Sequence, residues 1–597
     1  MNKSEKMVVI LLGLVLAGWL WHSFDQQKKQ AAERAEQVSA AAAVAATNQT
    51  AGVEVKAVSN RVVAAAAKAA EVKVSAPKVE PAVPERLVVL SNAEVAVTFS
   101  TRGAVAKGAT LFGFAEKPGR MGPENPPMKL DFSAAPLLAV GGISDLAADG
   151  DYELTESSAE RAVFRSAMMT RKVTLKANYL LEVEDEFTEA GLAAAKKGQG
   201  APNTLSLGCM TMGESKNDLL SIDSMTAGDK PKALHHGEEE PLKSYLVGGA
   251  GGCGGKRSAE GIPETTTVTL PGAQTWVAVK NRFFVTALAK SSEKNSGFVA
   301  TMTRDMNQVD YHLKSVAAAM TFPELSPKRS FTLYVGPKKQ SLLWDLGMRD
   351  VMEYGMFRWF CYPMVWVLNL CTFNGAASYG IAIILLTILV RVIFWPLTHK
   401  STVGMRRMQE IQPKMKALQA KFKDNPQRLQ QETWQLYRTE KVNPMSSCLP
   451  MLVQIPVFIA LFNVLRASVE LRYAPFLWIA DLSEPEGLFA SWFPFGGLNI
   501  LPILMAATMA LQSALTPSTG DKAQQRMMMV MMPIMMLFMF YSFPAALSLY
   551  WTLSQVFSIV QMWYIRKRYG TPAVKTEGVI EPDSVEMPTT RQMRRHG

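Results

Sequence analysis

The sequence predicts a multi-domain membrane protein: an α-helical transmembrane bundle of six spans, five of them forming a core, plus a large extracytoplasmic antiparallel β-sandwich. Three observations predict it. An apolar run occupies residues 7–24, period-two segments fill the middle of the chain, and five apolar stretches crowd the part after Trp344. The averages conceal this division. Of 597 residues 48% are hydrophobic and 19% charged, and the mean hydropathy is +0.06. That apolar content excludes a wholly disordered chain. Five Cys exclude a disulfide-stapled scaffold, and the near-zero hydropathy excludes a bundle of spans alone. The net charge of +11 is compatible with nucleic acid, anionic lipid or the inner side of a membrane until it is located.

Residues 7–24 (MVVILLGLVLAGWLWHSF) follow Lys3 and Lys6 and are just long enough to span hydrocarbon. A cleaved signal peptide would end in a small-x-small site. The run ends instead in Trp21, His22, Ser23, Phe24 and Asp25, so segment 1–24 is expected to be an uncleaved signal anchor with its basic end inside. Segment 25–86 is rich in Ala, Val, Gln, Lys and Glu, closes with Pro77, Pro81 and Pro84, and lacks large core residues. It is expected to be a tether.

Segment 87–340 is expected to be the β domain. Glu94–Ser100, Tyr152–Leu154, Ala162–Phe164, Val173–Leu175, Tyr179–Val183, Thr266–Leu270, Phe298–Thr303 and Ser330–Val335 alternate or run apolar between Gly, Pro, Asn and Asp. Segment 341–375 is expected to supply an amphipathic interfacial helix and connector. The core, 376–566, carries candidate spans at 378–398, 449–465, 498–515, 527–541 and 546–564. The last two are separated only by Ser542, Phe543, Pro544 and Ala545, a tight hairpin, and 527–541 is short enough to need a thinned membrane.

Loop charge orients the spans. Segment 399–447 holds ten Lys or Arg against four Asp or Glu, a net of +6, whereas 467–497 holds Arg472 against Glu470, Asp481, Glu484 and Glu486, a net of −3. Arg566, Lys567 and Arg568 follow the last span, ahead of a basic tail at 567–597. Positive loops stay inside, so both termini are expected in the cytoplasm.

Arg391 is the most informative residue. It lies inside the span 378–398, where a charge costs about 2.5–3.5 kcal/mol on insertion scales. Snorkelling towards His399 and Lys400 is one account, and a wet cavity is the favoured one. Thr387, one turn earlier, shares its face. Ser548, Thr552 and Gln555 form a stripe in the last span, with Ser554, Ser558 and Gln561 on an adjoining face. Thr508, Gln512 and Gln454 add polar groups in two other spans. Such stripes also act as helix-packing glue. The combination with Arg391 points to a shared hydrophilic groove. No Asp or Glu lies in the core spans, so an acid-based proton relay is not supported.

In 399–447, Met405, Met408, Ile411, Met415, Leu418 and Phe422 recur at steps of three and four. Asp424, Asn425 and Pro426 make a turn, and Leu429, Trp434, Leu436 and Tyr437 follow. This predicts an antiparallel helical hairpin with one apolar seam. Its basic faces, with Arg406, Arg407, Lys414, Lys416, Lys421 and Lys423, suit either solvent or an acidic or RNA-rich partner such as a ribosome. The Met cluster around Met505, Met509, Met527–Met529, Met531, Met532, Met535, Met536 and Met539 suits varied apolar partners or plain lipid contact. Enzyme signatures fail. Gly248–Ser258 only approximates a phosphate loop, with Ala250 and Arg257 at required positions. The six His form no metal-spaced pair, and neither a redox motif nor a cofactor site is evident. Cys209 and Cys253 could pair in an oxidising compartment.

The stretches ILVRVIFWPLT (388–398), LYRTEKVNPMSSCLPMLVQIPVFIALF (436–462), ELRYAPFLWIADLSEP (470–485) and FPAALSLYW (543–551) resemble the YidC/Oxa/Alb family of membrane protein insertases. STRGA (100–104), YLVGG (245–249) and WVAVKNRFFVTAL (276–288) resemble its outer domain more loosely. The resemblance implies a non-enzymatic insertase and chaperone of the bacterial inner membrane with a periplasmic β domain. Nascent spans would enter a groove lined by Arg391, Gln454 and the polar face of the last span, without cofactor or metal. It also implies work alone or beside the Sec translocon, ribosome contact through 399–447 and the tail, contact with the lipid bilayer, and a core that suffices as a monomer. Two other readings remain: a small-solute transporter using the groove, which should show internal repeats, and an envelope-binding protein acting through the β domain.

Overall fold

The computed structural model of the chain describes residues 85–118, 124–143, 150–197, 203–211, 220–228, 231–237, 264–304, 313–372, 378–423, 425–443, 449–489, 497–515 and 522–569. The expected anchor, nearly all of the tether, Gly248–Ser258, Cys253 and the tail beyond Tyr569 lie outside these residues.

The first half of the chain is built of strands β1 (Leu87–Ser91), β2 (Val95–Ser100), β3 (Val105–Ala115), β4 (Pro127–Asp131), β5 (Leu137–Gly141), β6 (Glu153–Ser157), β7 (Arg161–Arg165), β8 (Met169–Leu175) and β9 (Leu180–Phe187). Helix α1 (Glu189–Lys197) leads to β10 (Asn203–Thr211), β11 (Ser221–Thr226), β12 (Ala233–Gly237), β13 (Thr265–Pro271), β14 (Gln274–Lys280), β15 (Phe284–Ser291), β16 (Gly297–Arg304), β17 (Leu313–Phe322) and β18 (Lys328–Pro337). They form two antiparallel nine-stranded sheets. One runs β1-β2-β3-β5-β10-β17-β16-β13, with β4 beside β3; the other runs β12-β11-β14-β15-β18-β9-β8-β7-β6. Each of the eight segments expected from their patterning overlaps a strand, with Glu94, Tyr152 and Tyr179 lying one residue before theirs. The inner strands β14 and β15 were not foreseen, because they are buried on both faces through most of their length and show no alternation.

The pattern that builds β8 and β9 also places charge in the core. Met169, Arg171, Val173 and Leu175 share the buried face of β8, and Leu181, Val183, Asp185 and Phe187 that of β9. Arg171 and Asp185 are register partners, and Asp185 is also opposite Arg329 on β18. Arg171 binds Asp185 through Nε to Oδ1 at 2.7 Å and Nη2 to Oδ2 at 2.9 Å, and Arg329 donates to Oδ2 at 3.0 Å. Arg171 Nη1 donates onward to the carbonyls of Ala104 at 3.0 Å and Leu138 at 2.7 Å. Both acceptors hold left-handed backbone, φ 49° and 70°, which non-glycine residues keep only where the surroundings impose it. Arg329 lies over the rings of Phe187, Phe322 and Phe331. Burial would raise the Asp185 carboxyl, but Arg171 and Arg329 hold it below its ordinary value.

After β18 the chain turns through α2 (Gln340–Asp345), two 3-10 turns (Arg349–Met352 and Gly355–Phe357) and α3 (Arg358–Cys371). The helical half follows: α4 (Tyr379–Glu410), α5 (Gln412–Lys421), α6 (Pro426–Thr439), α7 (Leu449–Ala467), α8 (Ile500–Leu515), α9 (Lys522–Phe540) and α10 (Ala545–Tyr569). Helix α4 does not stop at the expected span boundary near residue 398. It continues to Glu410, because the polar residues after His399 change its solvation without introducing a helix breaker. Among the described residues, Tyr379–Met405 is long and apolar enough to cross a membrane, while Gln454–Ala467, Ile500–Leu515 and Met529–Phe540 are shorter apolar helices. One buried apolar cluster runs from the sandwich through the connector into the bundle.

Polar contacts fix this junction. Buried Arg282 donates to the carbonyls of Arg466 and Ser483 and to Glu484 Oε1. Arg472 donates to the carbonyls of Ala115 and Glu116 and stacks on Phe284 and Tyr473. Beside them, Lys280 pairs with Asp223 and Glu353 and donates to the Val351 carbonyl at 2.9 Å. His235 Nδ1 lies 3.0 Å from Asp223 and 3.3 Å from Glu353. Asp223, His235 and Glu353 converge closely enough for a metal ion, but the Lys280 ammonium already occupies the place of a cation between the two acids. Hydrogen bonds to Asp223 and Glu353 outweigh burial and push the imidazole up to about 9. Burial and the Lys280 charge push Lys338 down to about 7.

Two outcomes follow from these buried charges. Asp185→Asn leaves two guanidiniums without a counter-charge and should cost about 3–5 kcal/mol of β-domain stability, measured by denaturant unfolding of the full chain. Replacing Arg171, Asp185 and Arg329 together by Met, Leu and Met should recover most of it. His235 is raised on folding, so its contribution is complete below its unfolded value of about 6.5 and disappears as pH rises through about 9. The melting difference between the chain and His235→Gln should therefore shrink steadily across that window; a constant difference would refute the assignment.

Candidate functional site

Five helices of the core alternate in direction. Arg282 holds the end of α7, Glu486 caps the start of α8, and the start of α10 donates to Glu484 and Leu482 carbonyls. The start of α4 is tied to Pro475 by Ser378. These ends all lie on the β-domain side. The hairpin α5–α6 follows the far end of α4, whose 32 residues extend about 48 Å at 1.5 Å per residue.

Helix α10 packs against α4, α7 and α8 and presents a polar group to each. Arg391 lies twelve residues into α4, about 18 Å along it. Its Nε donates to Ser554 Oγ at 3.1 Å, and its Nη2 donates to Ser554 Oγ at 2.8 Å and to the Ser554 carbonyl at 2.5 Å. The side chain is half-buried, and no carboxylate pairs with it among the described residues. Further along the same seam, Gln561 Nε2 donates to Thr398 Oγ1 at 3.1 Å. Towards α8, Thr508 Oγ1 donates to Gln555 Oε1 at 2.6 Å. Towards α7, Gln454 Nε2 donates to Tyr550 Oη at 2.7 Å.

The polar residues singled out in the sequence thus fall into three seams that share α10. Thr508 and Gln555 meet each other. Arg391 meets the second stripe, at Ser554, and not the Ser548–Thr552–Gln555 stripe. Thr387 is fully buried and bonds its own helix, to the Ile383 carbonyl at 2.6 Å. Thr552 does the same to the Ser548 carbonyl at 2.8 Å. Ser548 Oγ is buried without a hydrogen-bond partner among the described residues, and Gln512 is half-buried on α8. Ser554 was visible as part of a stripe. Tyr550 carried no polar signal, because its ring reads as apolar packing and only its hydroxyl reaches Gln454.

Around these seams the outer surfaces are apolar. Ile381, Leu385, Ile388, Leu389, Val392 and Ile393 are exposed on α4, and Met531, Met535, Phe538 and Met539 on α9. Such contiguous exposure marks a lipid or partner surface. Met505 differs: it is wholly buried.

The hairpin closes through Tyr437 Oη, 3.3 Å from Met415 Sδ, and through Lys414 to Glu440 at 2.5 Å. Asn425 caps α6 by accepting from the Arg428 amide. Trp434, expected in the apolar seam, is instead 53% exposed, because α5 has only ten residues and covers little of α6. Arg407, Lys414, Lys416, Lys421 and Lys423 are exposed; the Arg406 side chain lies outside the described residues. Cys209, one half of the possible disulfide, is a buried thiol 3.4 Å from the Asp131 carbonyl.

Residues 370–572 match the family described as 60Kd inner membrane protein, and residues 256–367 match the YidC periplasmic domain. The membrane protein insertase YidC of Syntrophobacter fumaroxidans is 41% identical over 313 residues, covering 50% of this chain and 55% of that protein. Its counterpart from Cupriavidus necator is 38% identical over 312 residues, 51% and 53% of the two chains. The matched region spans about half the length of these relatives. A solved active YidC insertase structure aligns over 81% of this chain and 93% of its own at 18% identity, with a TM-score of 0.32, too low an overlap to bear on architecture. The matched regions contain Arg391, Gln454, Thr508, Ser554 and the junction residue Arg282, and by these matches the chain belongs to the YidC family of membrane protein insertases.

Proposed function

We propose that the chain inserts nascent transmembrane segments into the bacterial inner membrane and helps them fold, through a hydrophilic groove centred on Arg391. The observation that carries this reading is a guanidinium in the apolar helix layer, held by Ser554 and unpaired with any carboxylate among the described residues. Its charge remains available to an acidic or polar segment of a substrate. Pairing such a segment with Arg391 part-way across removes much of the desolvation penalty of crossing hydrocarbon. The following apolar segment then leaves sideways into lipid, driven by burial of its apolar surface. The polar pairs Thr508–Gln555 and Gln454–Tyr550 flank the path, and the exposed Met row of α9 suits apolar segments of varied shape. No nucleotide or metal is called for in this scheme.

The topology that goes with this reading has six spans, the anchor 1–24 and the five alternating helices, with both termini in the cytoplasm and the β domain in the periplasm. The net charges of the two loops support it. The basic hairpin and tail are suited to ribosome contact, and the same groove can act alone or beside the Sec translocon.

Arg391→Ala and Arg391→Glu should lower insertion of a short-tailed membrane protein about tenfold or more, the loss expected for a charged hydrogen-bonding group. Arg391→Lys should restore part of it. Protease protection of the translocated tail in vesicles reads the outcome, and full activity in all three variants would remove Arg391 from the mechanism. Ser554→Ala should give a smaller, few-fold loss, because the backbone carbonyl still accepts from the guanidinium.

A further inference from the structure

We propose that Leu477, Trp478 and Phe489 form an apolar crest that dips into the lipid leaflet on the β-domain side of the bundle; this rests on the reading of the core as membrane-embedded. The three residues lie on the connection from α7 to α8 and are 74%, 45% and 65% exposed. Nothing in a water-facing turn calls for them. Leu477 and Phe489 both hold left-handed backbone, φ 54° and 53°, a region that turns normally fill with Gly, Asn or Asp. A Leu or Phe there is strained and persists only where the surrounding bonds impose it.

Those bonds are present. The Phe476 and Ile479 amides and carbonyls exchange two hydrogen bonds of 2.9 Å across the Leu477–Trp478 tip. At the base, Tyr473 and Ser483 amides donate to Asp481 Oδ1, and Leu482 donates to the Ala474 carbonyl. Phe489 follows Leu488, whose amide and carbonyl exchange hydrogen bonds with Leu498. Trp478 Nε1 donates to Glu486 Oε2 at 3.0 Å, and the same carboxylate accepts from the Ile500 and Leu501 amides. One carboxylate therefore caps α8 and fixes the indole of the crest.

Position decides the occupant. Phe476 packs onto the first turn of α4 so closely that a Cβ on Gly380 would lie 2.1 Å from its ring, and Ser378 Oγ donates to the Pro475 carbonyl. The Leu477 tip thus sits at the head of α4, whose exposed apolar row starts at Ile381. Phe489, next to the Leu488–Leu498 pair, sits at the head of α8, whose row starts at Ile503 and Leu504. The crest continues these lipid-facing rows at the level where a helix meets the headgroups, and an indole with a bonded N–H is the side chain that favours that level. On its other side the same segment is bound to the β domain through Arg472 and Arg282. The crest consequently sets the depth at which the β domain rides on the membrane.

The test uses the full chain, with its native Cys replaced by Ser or Ala, reconstituted in phosphatidylcholine–phosphatidylglycerol vesicles. An environment-sensitive fluorophore is placed in turn at Leu477→Cys, Phe489→Cys, Lys232→Cys on the β domain and Val392→Cys on the apolar face of α4. Lipids spin-labelled near the headgroup should quench positions 477 and 489 at least twofold more than 232, and aqueous iodide should show the reverse order. If 392 is quenched by lipid labelled along the acyl chain while 477 and 489 follow 232, the crest lies in water and the proposal falls while the membrane reading stands. Lack of lipid quenching at 392 as well overturns both. Protection of 477 and 489 from lipid and iodide alike means that a protein covers the crest, which also overturns it.

Discussion

A guanidinium set among apolar helices must be hydrogen-bonded, and the packing of the helical half depends on how that demand is met. Arg391 finds its acceptors on one residue of α10, the hydroxyl and carbonyl of Ser554. That choice brings α10 against α4 and leaves its other faces to offer Gln555 to Thr508 and Tyr550 to Gln454. The contacts of α4, α7 and α8 with α10 are apolar with polar pairs set into them, two on the α4 side and one each towards α7 and α8. The arrangement satisfies the Arg without neutralising it, since Ser554 supplies hydrogen bonds and no charge. A carboxylate in the same place would bind the guanidinium more tightly and neutralise it.

The β domain solves the same problem differently. Arg171, Asp185 and Arg329 occupy core-facing positions on three neighbouring strands, and the two guanidiniums share one carboxylate, with the remaining donors set against carbonyls and aromatic faces. One Arg ties the two sheets together through a carboxylate and two carbonyls; the other is held by a hydroxyl and a carbonyl and keeps its charge. What separates them is the presence of a carboxylate within hydrogen-bonding distance.

The two halves are joined by polar contacts that no local pattern announces. Arg282 reaches across some two hundred positions of sequence to Ser483 and Glu484, and Arg472 reaches back to Ala115 and Glu116. The acidic loop between α7 and α8 is therefore also the seat of the β domain. His235 illustrates the limit of spacing rules. It had no metal-spaced partner in the sequence, yet folding brings it against Asp223 and Glu353, with Lys280 completing the group.

Half-buried strands such as β8 and β9 were legible because water on one face forces alternation. The helices were legible because long apolar runs have few other stable states, and Arg391 stood out because an intramembrane charge is costly. The doubly buried strands β14 and β15 were not legible, since a strand without a wet face has no period. The extension of α4 to Glu410 is not legible in hydropathy, because a change of polarity alters the solvation of a helix without ending it. Patterning along the chain marks the half-buried strands, the apolar helices, the charge out of place at Arg391 and the loops that differ in sign. Which polar groups meet is settled by folding: Ser554 and not Ser548 for Arg391, Tyr550 for Gln454, Glu486 for both Trp478 and the start of α8. Hydrophobicity and its period are properties of side chains in their order along the chain, whereas a hydrogen bond needs a second atom within about 3 Å, and the position of that atom exists only after the chain has folded.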